Sequence, residues 1–118
     1  MRYMLLIYGD ESRWATMSEA EQQSNMQQWM TYDSEIRAAG VTQQGDALQS
    51  VGTATTVRLN GGEPLVTDGP FAETKEQLGG FYLLDVPNLD EAIKWAHKCP
   101  GARGGRLELR PVMEFDQP

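Results

Sequence analysis

Cysteine and long apolar runs are nearly absent from this sequence. Its 118 residues include one Cys, which cannot form an internal disulfide and offers no cluster of metal ligands. No apolar stretch reaches the roughly 18 residues that a membrane-spanning helix requires. We therefore expect a single soluble, cytoplasmic domain over residues 1–118, with no metal and no cofactor.

Basic residues are also scarce. Lys and Arg number 10 against 17 Asp and Glu, which gives a net charge of -7. A nucleic-acid backbone is repelled by such a surface unless the basic residues cluster. The nearest approach to a cluster is Arg103, Arg106 and Arg110, which Glu108 interrupts. We interpret it as a solvated strand face, and no direct nucleic-acid partner is expected.

The first residues of the chain predict a strand. Residues 1–8 carry one basic residue and a short apolar run, but they lack the small-residue cleavage site of a secretory signal. Within residues 2–8, apolar side chains occur at both odd-numbered and even-numbered positions, which is typical of a strand covered on both faces. We expect this strand to be central in its sheet.

Two segments carry the signals of helices. Ser18 and Glu21 form a capping box, and a glycine stop follows, so the first helix is predicted over residues 18–39. Asn88 and Glu91 repeat the N-terminal signal, and a second helix is predicted from there to just before the cysteine.

Short β-like segments account for most of the remaining chain. The predicted strands after the first helix span residues 41–48, 54–59, 64–67, 79–86 and 105–115. Asn60 and Gly61 give a strong hairpin-turn signal between the second and third of these. The order is two β-α-β halves with an extra hairpin between them. It predicts a ferredoxin-like α+β fold, an antiparallel sheet with two helices on one face.

The string Asp68-Gly69-Pro70-Phe71 resembles the motif that names the DGPF family of YCII-related proteins. Other segments are similar to that family: Glu73-Thr74-Lys75-Glu76, Gly79-Gly80-Phe81 and Glu108-Leu109-Arg110-Pro111. The resemblance covers nearly the whole chain. It implies a homodimer of the dimeric α+β barrel type, in which two sheets pack face to face. The family is bacterial and mostly of unassigned role, and it is often encoded beside extracytoplasmic-function sigma factors, so the resemblance also implies a sigma-factor link.

Distant YCII-like relatives include a dehydrochlorinase that acts on a chlorinated hydroxyquinone, where a His and Asp pair is credited with acid-base work. That pair does not carry over to this chain. Counting back from Gly40, Trp29 stands where the family histidine would lie, and no histidine is near it. Enzymatic activity drawn from this relationship is therefore an analogy of fold.

Asp68 and His97 are the candidate catalytic residues. Asp68 either fixes the turn at Gly69 by accepting hydrogen bonds from amides two residues on, or serves as a general base at the mouth of the barrel cavity. His97, the one histidine, falls in the last turn of the predicted second helix. Capping or packing there is the alternative to catalysis.

The candidate ligand-binding residues lie on the first helix, the DGPF loop and the last strand: Trp29, Asp33, Phe71, Glu73, Lys75 and Arg110. Trp29 is expected to face the cavity, although tryptophans more often belong to a core. Asp33 either pairs with Arg37 one turn on or points into the dimer cavity. Lys75 would orient a substrate carboxylate, although mixed charge in a loop is usually only solvated.

Two functions of different class remain open on the sequence. The first is a small homodimeric ligand-binding or regulatory accessory module with a small-molecule ligand. The second is a cofactor-independent acid-base enzyme, a lyase, isomerase or dehydrochlorinase, acting on a compact organic acid or phenol in the barrel cavity. A purely structural dimer unit is a third reading.

Overall fold

A computed structural model describes residues 1–115, apart from the side chain of Gln43. The strands are β1 Arg2–Gly9, β2 Thr42–Ala47, β3 Thr55–Asn60, β4 Glu63–Asp68, β5 Gln77–Asp85 and β6 Arg106–Pro111. The helices are α1 Ser12–Thr16, α2 Glu19–Ala38 and α3 Leu89–Lys98. Two short 3₁₀ turns span Val51–Thr53 and Pro100–Ala102. Among these helices none is long and apolar enough to cross a membrane.

Four strands form one antiparallel sheet in the order β2-β5-β1-β6. Leu5 of β1 lies opposite Tyr82 of β5 and Leu109 of β6. The prediction that the first strand is central is therefore confirmed. This strand order, with α2 and α3 as the crossovers, is consistent with the predicted ferredoxin-like α+β fold.

Helix α2 begins and ends within one residue of its predicted bounds. Ser18 accepts from the amide of Glu21, and the Glu21 carboxylate accepts from the amide of Ser18, so the capping box is present. Helix α1 was not predicted, because five residues are too short to show helical periodicity. Asp10 starts it by accepting from the amide and hydroxyl of Ser12.

The hydrophobic core lies between the sheet and helices α2 and α3. Leu5, Ile36 and Leu84 are fully buried there. Tyr32 of α2 makes edge-to-face contacts with three other rings, those of Trp29, Tyr82 and Trp95. Its hydroxyl donates to the carbonyl of Trp95 at 2.8 Å, which satisfies the buried polar end of the ring.

The opposite face of the sheet has no helix on it. Met4 lies opposite Leu83, and Leu6 lies opposite Phe81, so these four side chains form one apolar patch. All four are partly exposed. We call this surface the open sheet face.

Strands β3 and β4 form a separate two-stranded hairpin. Its turn is built on Gly61 and Gly62, with φ of 59° and 88°, one residue beyond the predicted Asn-Gly pair. Val57 lies opposite Val66, and both side chains are more than half exposed. The hairpin therefore packs little of its apolar surface against the sheet and helices.

Candidate functional site

A cavity of about 830 Å³ opens on the helix-covered side of the sheet, where β1 ends and β5 begins. Helix α2 forms one wall with Asn25, Trp29 and Asp33, which follow one another at intervals of one helical turn. Trp14 of α1 lies at the opening and is partly exposed. The volume falls in the range of small-molecule sites, which is about 300 to 1,000 Å³.

Glycines create this cavity. Seven of the chain's 12 glycines line it: Gly9, Gly45, Gly79, Gly80, Gly101, Gly104 and Gly105. A Cβ on Gly80 would lie 2.9 Å from the backbone carbonyl oxygen of Asp46, and a Cβ on Gly45 would overlap the ring of Tyr82. The strands approach closely because these two positions have no side chain. At Gly9, in contrast, a Cβ would meet no atom within 4 Å.

A chain of hydrogen bonds crosses one wall of the cavity. The hydroxyl of Tyr82 donates to Asp33 Oδ1 at 2.8 Å, and Arg37 Nε donates to Asp33 Oδ2 at 2.9 Å. Arg37 Nη2 also donates to the carbonyl of Gly45 at 3.2 Å. The predicted Asp33–Arg37 pair is confirmed. Asp33 also lines this cavity within one subunit, whereas its place in a cavity between two subunits stays a prediction.

These contacts set the protonation of Asp33 and Tyr82. Partial burial raises the pKa of Asp33, but the hydrogen bonds from Tyr82 and Arg37 lower it more, so the pKa lies below its usual value. Burial and the neighbouring Asp33 carboxylate raise the pKa of Tyr82 well above that of a free phenol. At neutral pH Asp33 is a fixed acceptor, and Tyr82 is a fixed donor.

Trp29 and Asp33 are the two predicted site residues that line the cavity. The cavity lining, as far as residues 1–115 define it, does not include the other six: Asp68, Phe71, Glu73, Lys75, His97 and Arg110. Asp68 ends β4 of the hairpin, and His97 lies in the last turn of α3; both are exposed. The structure does not bring these two candidates together in the cavity, and their catalytic role stays a prediction.

The turn at Gly69 is held by groups other than the Asp68 carboxylate. The amide of Gly69 donates to the carbonyl of Ala54 at 2.7 Å, and the hydroxyl of Thr56 donates to the carbonyl of Gly69 at 2.8 Å. Gly69 has φ of +92°, which favours glycine. No hydrogen bond of the Asp68 carboxylate occurs within the described part of the chain, so the expected turn-fixing contact is not present.

Phe71 and Arg110 lie on exposed surface. The ring of Phe71 is 90% exposed, and Arg110 pairs with Glu108 on β6.

Cys99, in contrast, is buried in the core, where burial raises its pKa to about 11. A buried thiol that stays protonated at neutral pH is a poor nucleophile. Cys99 also lies at the C-terminal end of α3, where no helix N-terminus stabilises a thiolate.

The sequence reasoning missed most of the cavity. Tyr82 belongs to a strand with an ordinary buried pattern, and Trp14 lies on the short helix that was not predicted. The paired glycines at 79–80 and 104–105 do not by themselves indicate a site, because such pairs are common at turns and strand ends. Their repeated occurrence at strand ends is the one signal that could have indicated a hollow there.

The fold and the cavity define a small α+β protein with a helix-covered antiparallel sheet and a pocket of ligand size. A family model described as "YCII-related domain" matches residues 1–116, and the chain belongs to this family. It is similar to "Uncharacterized protein R00369" from Rhizobium meliloti (strain 1021), with 40% identity over 114 residues. The match covers 95% of this chain and 92% of that relative.

Proposed function

We propose that this protein is a ligand-binding accessory module that holds a small organic molecule in the glycine-lined cavity. The observation that carries this proposal is the cavity itself, in which the Trp29 ring and the Asp33–Tyr82 pair meet in one wall. An apolar surface with a few fixed polar groups is the usual composition of a small-molecule site.

Binding is favoured over acid-base catalysis by the state of the polar groups. A general base works best when its pKa lies near the working pH. The pKa of Asp33 is instead lowered by its partners, Tyr82 and Arg37, although burial acts to raise it, and the pKa of Tyr82 is raised. Both changes make proton transfer harder and hydrogen bonding to a ligand more constant.

The module is proposed to act as a homodimer in which two open sheet faces pack together. The apolar patch of Met4, Leu6, Phe81 and Leu83 supports this arrangement, because a monomer seldom leaves so continuous an apolar surface in water. A face-to-face pair of such sheets would bury about 2,000 Å² in total. The cavity lies on the other side of each sheet and would stay open in the dimer. Light scattering at low micromolar concentration should give twice the mass of 13.2 kDa.

A cytoplasmic location and a link to an extracytoplasmic-function sigma factor belong to the same proposal. The location follows from the single cysteine, which suits a reducing compartment, and the link follows from the family resemblance. Copurification of the tagged protein with an extracytoplasmic-function sigma factor tests the link, and failure to copurify under conditions that preserve the dimer would remove it.

Filling the cavity tests the ligand-binding function. Gly9 lines the cavity, and a Cβ on it would meet no atom within 4 Å, so Gly9→Trp would place an indole in the open space. The neutral dye N-phenylnaphthylamine, whose fluorescence rises in apolar surroundings, is the probe. We expect Gly9→Trp to weaken its binding by about tenfold or more, which corresponds to about 1.4 kcal/mol or more.

Gly52→Trp is the matched control, because Gly52 lies outside the cavity lining and a Cβ there would meet only the Ser50 hydroxyl, at an ordinary contact distance of 3.7 Å. It should bind the dye like the natural protein. Equal dye binding by all three proteins would place the dye elsewhere and contradict the proposed function.

A further inference from the structure

Two carboxylates that line the cavity, those of Asp10 and Glu11, accept hydrogen bonds from within the chain. Asp10 Oδ1 accepts from the amide of Ser12 at 3.0 Å and from its hydroxyl at 2.6 Å. The two oxygens of Glu11 accept from Ser50 Oγ and from the amide of Val51, each at 2.9 Å. These hydrogen bonds anchor the loops around the cavity, while each carboxylate keeps its negative charge and part of its acceptor capacity.

The other two carboxylates of the lining are those of Asp33 and Asp46. Each oxygen of Asp33 accepts one hydrogen bond, from Tyr82 or from Arg37. Asp46 is exposed on β2, and its carboxylate has no hydrogen bond within residues 1–115. Because β2 and β6 are the two edge strands, Asp46 and the start of β6 lie at opposite ends of the cavity.

Arg13 is held at the β6 end of the cavity by the backbone. Its Nη1 donates to the carbonyl of Gly104. Gly104 has φ of +81°, and a Cβ there would overlap the guanidinium of Arg13, so glycine is what allows the two to lie in contact. Within the described chain this guanidinium makes no ion pair, and its other N–H donors remain available.

Arg103 lies one residue before Gly104 and also lines the cavity. Its side chain is exposed and has neither a hydrogen bond nor an ion pair with any other described residue. By contrast, Arg2, Arg37, Arg106 and Arg110 all pair with carboxylates. The lining therefore holds two arginines that form no ion pair with a described carboxylate, in a chain of net charge -7. The nearby charge of Arg13 still contributes, after the hydrogen bonds from Ser12, to the lowered pKa of Asp10.

We infer that the ligand of this cavity is an organic anion, with its carboxylate, sulfonate or phosphate group against Arg13 and Arg103 and its apolar body against Trp29. The inference rests on the proposed ligand-binding function and adds the chemical class of the ligand. Guanidinium groups present a planar fork of donors that matches such oxygens, and these charge-assisted hydrogen bonds are about twice as strong as neutral ones.

A pair of dyes that differ by one anionic group tests the inference. Anilinonaphthalene sulfonate carries a sulfonate on the skeleton of N-phenylnaphthylamine. We expect Arg103→Gln and Arg13→Gln each to weaken binding of the sulfonate dye by about tenfold, and to leave binding of the neutral dye within about twofold. Arg58→Gln is the control for the change in net charge, because Arg58 is exposed on the hairpin and lies outside the cavity lining. It should leave the binding of both dyes unchanged.

The possible results separate the two proposals. If Gly9→Trp weakens both dyes but neither arginine variant selectively weakens the sulfonate dye, the cavity binds ligands and the anion inference is wrong. If Arg58→Gln weakens the sulfonate dye as much as Arg103→Gln does, the effect is one of net charge, and the inference is again wrong. If neither dye responds to Gly9→Trp, the proposed function itself fails. Displacement of the sulfonate dye by benzoate and by phenyl phosphate then ranks the two anionic groups.

Discussion

The two ends of helix α2 cover the same sheet with opposite results. Near its C-terminal end, Tyr32 and Ile36 are buried against strands that carry Leu5 and Leu84. Toward its N-terminal end, Asn25 and Trp29 face strand ends built of glycine, and a cavity remains. The helix is continuous, so the difference comes from the strands below it. The volume of the side chains on the sheet therefore decides where the space between the sheet and α2 is packed and where a cavity remains.

At the packed end of α2, the free energy of unfolding should fall most strongly when a buried side chain is shortened. Leu5→Ala removes a fully buried side chain, and we expect the free energy of unfolding to fall by about 2 to 5 kcal/mol. Leu59→Ala is the matched control, because Leu59 is 73% exposed on the hairpin and should change stability by less than about 0.5 kcal/mol. Urea denaturation followed by circular dichroism measures both. Equal effects of the two variants would mean that the core is wrongly placed.

The end of α2 that covers the cavity should lose stability when a side chain is added where the strands below it approach closely. Gly80→Ala brings a Cβ to 2.9 Å from the backbone oxygen of Asp46, and backbone cannot move away as a flexible side chain can. We expect a loss of about 1 to 3 kcal/mol in the free energy of unfolding. Gly52→Ala, where the nearest atom lies at 3.7 Å, should be nearly neutral. A neutral Gly80→Ala would show that β2 and β5 are farther apart than described.

The contrast between the two ends also marks the limit of prediction from sequence. The capping box of Ser18 and Glu21 is local, and it placed helix α2 within one residue. The patterns of β1 and β5 are local as well, and they placed the central strands. The cavity depends on glycines that are far apart in the chain and meet only after folding, so no local pattern reveals it. Trp29 and Asp33 were named for a cavity between two subunits, and both line the cavity within one subunit because they lie one helical turn apart on α2.

The polar wall of the cavity predicts a smaller, pH-dependent effect. The folded-state pKa of Asp33 is lowered, so this carboxylate stabilises the protein fully above its unfolded pKa of about 3.9, and the contribution is lost as the pH falls through the folded value. Asp33 is 41% exposed, so solvent screening keeps the contribution below about 1 kcal/mol. Asp33→Asn should therefore narrow the gap between the urea midpoints at pH 7 and pH 3. Gly52→Ala, which removes no titratable group, is the control and should leave that gap unchanged. A gap unaffected by Asp33→Asn would mean that the hydrogen bonds from Tyr82 and Arg37 do not favour the ionised form.

The hairpin gives the smallest expected effect and extends the comparison to a region with no core. Val57 is 68% exposed, so Val57→Thr should change the free energy of unfolding by less than about 0.5 kcal/mol. Val86→Thr, at a buried position, should cost at least about 1 kcal/mol because it places a hydroxyl in the core. A large loss with Val57→Thr at concentrations that favour the dimer would indicate that the partner subunit covers the hairpin.

The position of bound anilinonaphthalene sulfonate in a crystal structure of the complex tests the central claim most directly. The account predicts the naphthalene ring beside Trp29, below helix α2, with the sulfonate within hydrogen-bond distance of Arg13 or Arg103. Dye bound on the open sheet face or along the hairpin, with the cavity left empty, would contradict the claim that this protein holds its ligand in the glycine-lined cavity.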